Sequence, residues 1–233
     1  DAGVVTGATS VTSTAFVGAL TGNVAGNLTG TVATATQNSI TTATGLTAVG
    51  ATGTASAIAG IPFYRGDGDN TSIYTHDVSG TDSTAQGNTA FGITAMDAIT
   101  TGDNNTAIGE QSLTSITTGS ANTAVGRLSL KTVSTGVNNI AVGYEALKAN
   151  NGDANVAIGY QALLVNTTGA SNIAIGSTAL GATTTGVRNI AIGSNALDLQ
   201  DTENDNIAIG YNAMTTDNQG GTQNIAIGNY AMD

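Results

Sequence analysis

The sequence predicts an all-β fold: a repetitive parallel β-solenoid or β-roll of about nine 17-residue coils, preceded by an intertwined extended-strand shaft. Three observations predict it. A five-residue motif returns at a nearly constant interval, large side chains are scarce, and 32 glycines are interleaved with Thr, Ala and Asn along all 233 residues. Small residues of this kind suit thin layered β-structure, in which neighbouring backbones pack closely and no deep core is filled.

The motif is Asn-x-Ala-[Ile/Val/Phe]-Gly. It begins at Asn88, Asn105, Asn122, Asn139, Asn155, Asn172, Asn189, Asn206 and Asn224, at intervals of 17, 17, 17, 16, 17, 17, 17 and 18 residues. A small-then-aliphatic pair follows each Gly, as in Ala146-Leu147 and Ala179-Leu180, and a second Gly closes most units (Gly102, Gly119, Gly136, Gly152, Gly169, Gly186). A unit this short cannot hold a helical hairpin and fits one coil of a solenoid. Asn and Gly bracket a short strand, and both residue types tolerate the left-handed backbone of tight corners. The Thr-Thr-Gly runs, such as Thr117 to Gly119, read as the opposite corner. The repeated Asn is expected to form a ladder of side-chain amides along the stack.

The strand itself predicts association. Its Ala faces one side, and its neighbours face the other. From the fourth copy onward those neighbours are β-branched: Ile140, Val142, Val156, Ile158, Ile173, Ile175, Ile190, Ile192, Ile207, Ile209, Ile225 and Ile227. A strand apolar on both faces is buried on both, yet a thin coil has a single inside. These twelve residues are therefore the expected oligomer seam, wetter in the first copies, where Thr89, Thr106 and Thr123 stand. Cyclic self-association is the simplest way to cover such a stripe.

The chain divides by composition into residues 1–60, a Gly/Thr/Ala-rich fibre shaft, residues 61–87, a neck or adaptor, and residues 88–233, the β-roll repeats. In the first segment Phe16, Leu20, Val24, Leu28 and Val32 alternate with Gly18, Gly22, Gly26 and Gly30. Each glycine costs a helix about 1 kcal/mol, so an extended strand intertwined with partners is expected. The neck holds Pro62, Phe63, Tyr64, Tyr74 and His76. Because the chain opens on Asp1 and closes within a coil, it reads as processed, or as part of something longer.

Charge narrows the function. With 16 acidic and 5 basic residues, net −11, no cationic cluster exists to meet nucleic acid or an anionic membrane surface. No apolar run approaches the ~20 residues of a membrane-spanning helix. Cysteine is absent, so stability must come from association or stacking. No catalytic residue, cofactor or metal is expected. His76 has only its chain neighbours Asp77 and Ser79 for company. Asp67-Gly68-Asp69-Asn70 resembles the start of a calcium loop, but Val78 stands where the closing acid belongs. Arg65-Gly66-Asp67 and the sequons at Asn27, Asn70, Asn104 and Asn166 fit chance in this composition. Ice binding is disfavoured by breaks in the Thr rows, and polysaccharide cleavage by the lack of recurring acids. Tyr144, Tyr160 and Tyr211 share the variable position after the motif Gly. They are the candidate glycan contacts, or else pack on adjacent coils.

The Asn-Ile-Ala-Ile-Gly copies at Asn172, Asn189, Asn206 and Asn224 resemble the β-roll motif of trimeric autotransporter adhesin heads. Asn155 through Leu163, together with Gly18 to Gly26 and Ala35 to Ala43, is more similar to bacteriophage tail fibres of the marine type. That resemblance covers residues 16–50 and 88–233. It implies a homotrimeric viral tail-fibre shaft supporting host attachment, located in the virion, with itself and other virion or surface-fibre proteins as partners and a host surface glycan as a further one. The alternative is a bacterial cell-surface trimeric adhesin or extracellular filament subunit. No membrane-anchor barrel or receptor-binding tip is recognisable within these residues.

Overall fold

Among the described residues, ten three- or two-residue strands form one parallel sheet in chain order, and two more form a separate antiparallel pair. The computed structural model describes residues 56–58, 61–63, 73–75, 84–199, 202–215 and 221–232. The chain divides into two compact units, Asp1–Gly45 and Leu46–Asp233, and every described residue belongs to the second. The extended-strand shaft of residues 16–32, His76 and the Asp67–Asn70 segment lie outside the described residues.

β1 (Ser56–Ile58) pairs antiparallel with β2 (Ile61–Phe63). The parallel sheet starts at β3 (Ile73–Tyr74) and runs through β4 (Thr89–Phe91), β5 (Thr106–Ile108), β6 (Thr123–Val125) and β7 (Ile140–Val142). It continues through β8 (Val156–Ile158), β9 (Ile173–Ile175), β10 (Ile190–Ile192), β11 (Ile207–Ile209) and β12 (Ile225–Ile227). Each strand pairs with the next in unshifted register, so Ala141 meets Ala157 and Ala157 meets Ala174. The fold is thus a parallel β-solenoid with one strand per turn. Its nine motif copies enclose about eight turns of about 17 residues, one fewer than the motif count, because a turn is the interval between two motifs. At about 4.8 Å per rung these turns rise by roughly 40 Å.

Inside each coil lies a narrow column of small and aliphatic side chains. The strand alanines (Ala107, Ala141, Ala174) and the Leu or Met four residues after the motif Gly (Leu113, Leu147, Leu180, Met214) are fully buried. A third inner row changes character along the stack: Ile99, Ile116 and Val133 give way to Asn150, Asn166 and Thr183, all buried. Asn150 and Asn166 bond to each other at 2.6 Å, and both amides donate to glycine carbonyls. The two amide nitrogens thus have partners, whereas Asn166 Oδ1 is buried without one among the described residues.

Backbone hydrogen bonds continue between coils well beyond the strands. Leu113 N–H reaches Ser129 O and Ser115 N–H reaches Lys131 O, each at 3.1 Å. This continuity requires a backbone that the motif does not announce. The left-handed residues are not the constant asparagines, as tight-corner reasoning would place them. They are the residue before each Asn (Asn104, Ala121, Asn138), the second after each Gly (Glu145, Gln161, Thr178) and the buried Leu or Met itself, such as Leu147 at φ 48°. Left-handed backbone costs an L-residue roughly 1–2 kcal/mol. Here it directs Leu147 into the core while its N–H bonds to Ala162 O at 3.0 Å.

The Thr-Thr-Gly corner works as a clasp. The N–H groups of Thr117, Thr118 and Gly119 converge on the carbonyl of Ser134 at 3.0 to 3.2 Å, and the Thr117 hydroxyl adds a fourth bond. One coil, from Asn139 to Asn155, is a residue short, and at its corner a side-chain oxygen accepts in place of a backbone carbonyl. The Asn151 side chain stands in: its Oδ1 accepts from Ser134 N–H at 2.8 Å and Thr135 N–H at 3.5 Å. Asn151→Ala is expected to cost about 1 kcal/mol, whereas Asn151→Asp, which keeps the acceptor, should stay near wild type in chemical denaturation.

Candidate interaction surfaces

The sheet has one face turned into the coil and one turned out, and the strands assign side chains to them by simple alternation. Ala157 of β8 points in and is fully buried; Val156 and Ile158 point out. The same holds for every strand from β4 to β12, so the outer face carries two parallel rows. Ile140, Val156, Ile173, Ile190, Ile207 and Ile225 form one; Val142, Ile158, Ile175, Ile192, Ile209 and Ile227 form the other. Their exposure is substantial: 36% at Ile175, 41% at Ile140 and 69% at Ile227. Towards the other end of the sheet the first row changes to Thr123, Thr106 and Thr89, which ends the unbroken aliphatic character. The twelve residues singled out from the sequence thus lie together on one continuous outer face.

The nine motif asparagines lie elsewhere, at the inner edge of the strand, and eight of them are buried. Each Oδ1 from Asn88 to Asn206 accepts the backbone N–H of the next Asn at 2.8 to 3.0 Å. Each Nδ2 donates to the carbonyl at the far corner, as Asn172 does to Gly186 O at 2.7 Å. In most rungs it also donates to the preceding Asn Oδ1, as between Asn139 and Asn122 at 3.1 Å. An amide has two donor hydrogens and two acceptor lone pairs, and Asn139 uses all four. The asparagines therefore tie strand to corner across the coil and stitch coil to coil.

Beyond the motif Gly the chain turns outward again and carries a column of stacked side chains. Glu110 accepts from Arg127 at 3.1 Å, and the Arg127 guanidinium sits 5.8 Å from the centre of the Tyr144 ring. Tyr144 stacks on Tyr160 with centroids 5.6 Å apart and planes 13° from parallel. The next two members are Ser177 and Ser194, after which Tyr211 resumes the column and meets Tyr230 edge-on at 5.4 Å. Glu110 and its contact hold the Arg127 guanidinium above its ordinary range. Tyr144, Tyr160 and Tyr211 are thus exposed and at the same time packed along the stack.

Beside this column runs a polar row that sequence reasoning missed, because its residue types vary: Glu145, Gln161, Thr178, Asn195 and Asn212. Gln161 donates to Glu145 at 2.8 Å, Thr178 to Asn195 at 2.5 Å and Asn195 to Asn212 at 2.9 Å. Hydrogen bonds from Lys148 and then from Gln161 hold the Glu145 carboxyl below the usual carboxylate range. Burial pushes the Asp198 carboxyl up, opposed by the Gly181 N–H. Arg188 forms a two-pronged pair with Asp205 across one rung, at 2.6 and 2.8 Å.

Among the described residues no group of three or more His, Cys, Asp or Glu is gathered as for a metal ion. No helix there is long and apolar enough to cross a membrane. Of the two sequons within the described residues, Asn104 is exposed and Asn166 is buried. Comparison with known proteins found no matching family model, no matching curated protein and no matching solved structure.

Proposed function

We propose that this chain is a structural fibre protein, a trimeric viral tail-fibre shaft that supports host attachment and assembles through the outer face of its sheet. The observation that carries the reading is the double aliphatic row of that face. Six of its twelve β-branched side chains are exposed and six are partly buried, and together they present one apolar surface of roughly several hundred Å². The largest patch of a typical monomer is about 300–600 Å², and a standard interface covers about 800 Å² per partner. A partner for such a face must match its spacing. Side chains repeat every rung, about 4.8 Å, over the whole length of the stack. An unrelated surface would fall out of step within a few rungs, whereas another copy of the same chain shares the pitch throughout. Copies set parallel around a common axis satisfy this with closed symmetry. The number three rests on the likeness of the Asn155–Leu163 and Gly18–Gly26 segments to tail-fibre sequences.

A shaft also needs stiffness along one direction, which the clasped corners and the asparagine ladder supply. The test is the mass of the full chain in solution at micromolar concentration, with and without SDS. A trimer is expected, resistant to detergent. Ile175→Asp, and separately Ile192→Asp, should convert it to monomer while the far-ultraviolet spectrum keeps its β signature, because these side chains point away from the core. A folded wild-type monomer, or an Asp variant with unchanged mass, would sink the reading. Peptides of this chain in purified virions, rather than in a bacterial envelope fraction, are the expected source.

A further inference from the structure

The column of side chains beyond the motif glycines is interrupted, and the interruption has the form of a site. From Glu110 through Arg127 and Tyr144 to Tyr160, each side chain covers the next. The outer face of the Tyr160 ring then looks over Ser177. Among the described residues no ring or cation is stacked on that face, and Tyr160 is 52% exposed. Ser177 and Ser194 leave the column vacant for two rungs before Tyr211 resumes it. We propose that this gap binds a neutral saccharide, held face-on between Tyr160 and Tyr211.

Three features select that ligand class. Length is the first. Three rungs separate Tyr160 from Tyr211, about 14 Å, which divides into three stacking steps of about 4.5–5 Å. Two pyranose-sized rings fill it, their C–H faces against the tyrosines.

Polarity along the sides is the second. The hydroxyls of Ser177 and Ser194 make no hydrogen bond among the described residues, so both are free to meet sugar hydroxyls. Thr178, Asn195 and Asn212 line one flank, already held in place by their mutual bonds. A hydrocarbon or plain aromatic ligand would leave these groups unmatched, at a cost in affinity.

Charge is the third. Between Tyr160 and Tyr211 the single basic residue is Arg188, which is paired to Asp205. An anionic sugar or polyphosphate would find no counter-charge here.

This inference is independent of the fibre reading: the gap belongs to one chain, whatever its assembly. The experiment is saturation-transfer NMR on the assembled full-length chain with the methyl glycosides of glucose, galactose, mannose and N-acetylglucosamine. At least one should receive saturation from the tyrosine rings. Ser177→Tyr continues the column into the gap, as Tyr160 follows Tyr144, and should fold normally because position 177 is exposed. It should weaken binding about tenfold or more, the value of one lost stacking face and its space. Ser194→Tyr serves the same purpose should the first variant fold poorly, and Tyr160→Ala should weaken binding as well. Absence of saturation transfer to every glycoside overturns the proposal, as does binding that survives when the gap is filled. A trimer that binds none of them would overturn this inference and leave the fibre reading standing.

Discussion

Gly152→Ala is expected to divide the solenoid into two independently melting halves. A Cβ placed on Gly152 would lie 1.9 Å from the carbonyl oxygen of Gly169 in the next coil and 2.8 Å from its carbon. Both are backbone atoms, held there by the corner hydrogen bonds, so neither can move without parting the coils. Gly152 does not have the positive φ of the motif glycines, so its need for hydrogen is a matter of stacking and not of conformation. Overpacking of this kind costs about 3 kcal/mol. In a solenoid that cost falls on a single coil-to-coil interface. Stability there is a sum of repeat and neighbour terms, so one weakened interface uncouples what lies on either side. Urea denaturation followed by far-ultraviolet circular dichroism should show a lower first midpoint and a shallower or two-step transition. Gly181→Ala is the control. Its Cβ would meet chiefly the Asp198 carboxylate, at 2.4 Å, with backbone no nearer than 3.0 Å. That side chain can swing aside, and the expected loss is under about 1 kcal/mol. Equal effects for the two variants would mean that close coil contact is not what glycine secures.

The contrast between these glycines marks what could be read in the sequence. Rows in which every rung makes the same demand keep one residue type, and repetition alone exposes them: Asn for the ladder, Ala for the inward strand position, Gly where backbones nearly touch. Coil length, strand position and the outer aliphatic rows followed directly. Other features are invisible to that logic. The left-handed Leu147 and Leu163 have no distinctive residue type, because leucine is there to fill the core and the stacking imposes the backbone. The polar row of Gln161, Thr178, Asn195 and Asn212 varies because any side chain able to bond along the axis suffices. Ser177 and Ser194 read as ordinary variable positions; a missing ring is noticed only once Tyr160 and Tyr211 are seen to flank it. Asn151 did leave a signal, the one 16-residue interval. Its meaning, a side-chain oxygen replacing a backbone carbonyl, required the corner geometry.

Asn172→Ala should destabilise the chain by about 3 kcal/mol, through groups left behind more than through the amide removed. Asn172 is fully buried. Its Oδ1 accepts the Asn189 N–H at 2.9 Å, and its Nδ2 donates to Gly186 O at 2.7 Å and to Asn155 Oδ1 at 3.2 Å. Asn155 Oδ1 retains the Asn172 backbone N–H, and Asn189 Nδ2 retains Glu203 O. The Asn189 N–H and the Gly186 carbonyl lose their partners in a dry interior, at roughly 1–3 kcal/mol each. The exposed Asn138→Ala is the comparison, expected within about 0.5 kcal/mol of wild type, since Ala121 and Ala154 occupy the same left-handed position in neighbouring coils. Asn172→Asp gives the sharper result. At neutral pH its carboxylate still accepts from Asn189, but it faces Gly186 O and Asn155 Oδ1 with no hydrogen to donate. Burial and these two oxygens raise its folded pKa above the ordinary value of about 3.9. A group raised in the folded state binds more protons there than in the unfolded chain, so acidification favours folding. The Asp variant should therefore gain stability relative to wild type as pH falls from 7 towards 4, when the carboxyl becomes a neutral donor. Parallel pH profiles for the two proteins would mean that Asn172 is not held between those oxygens.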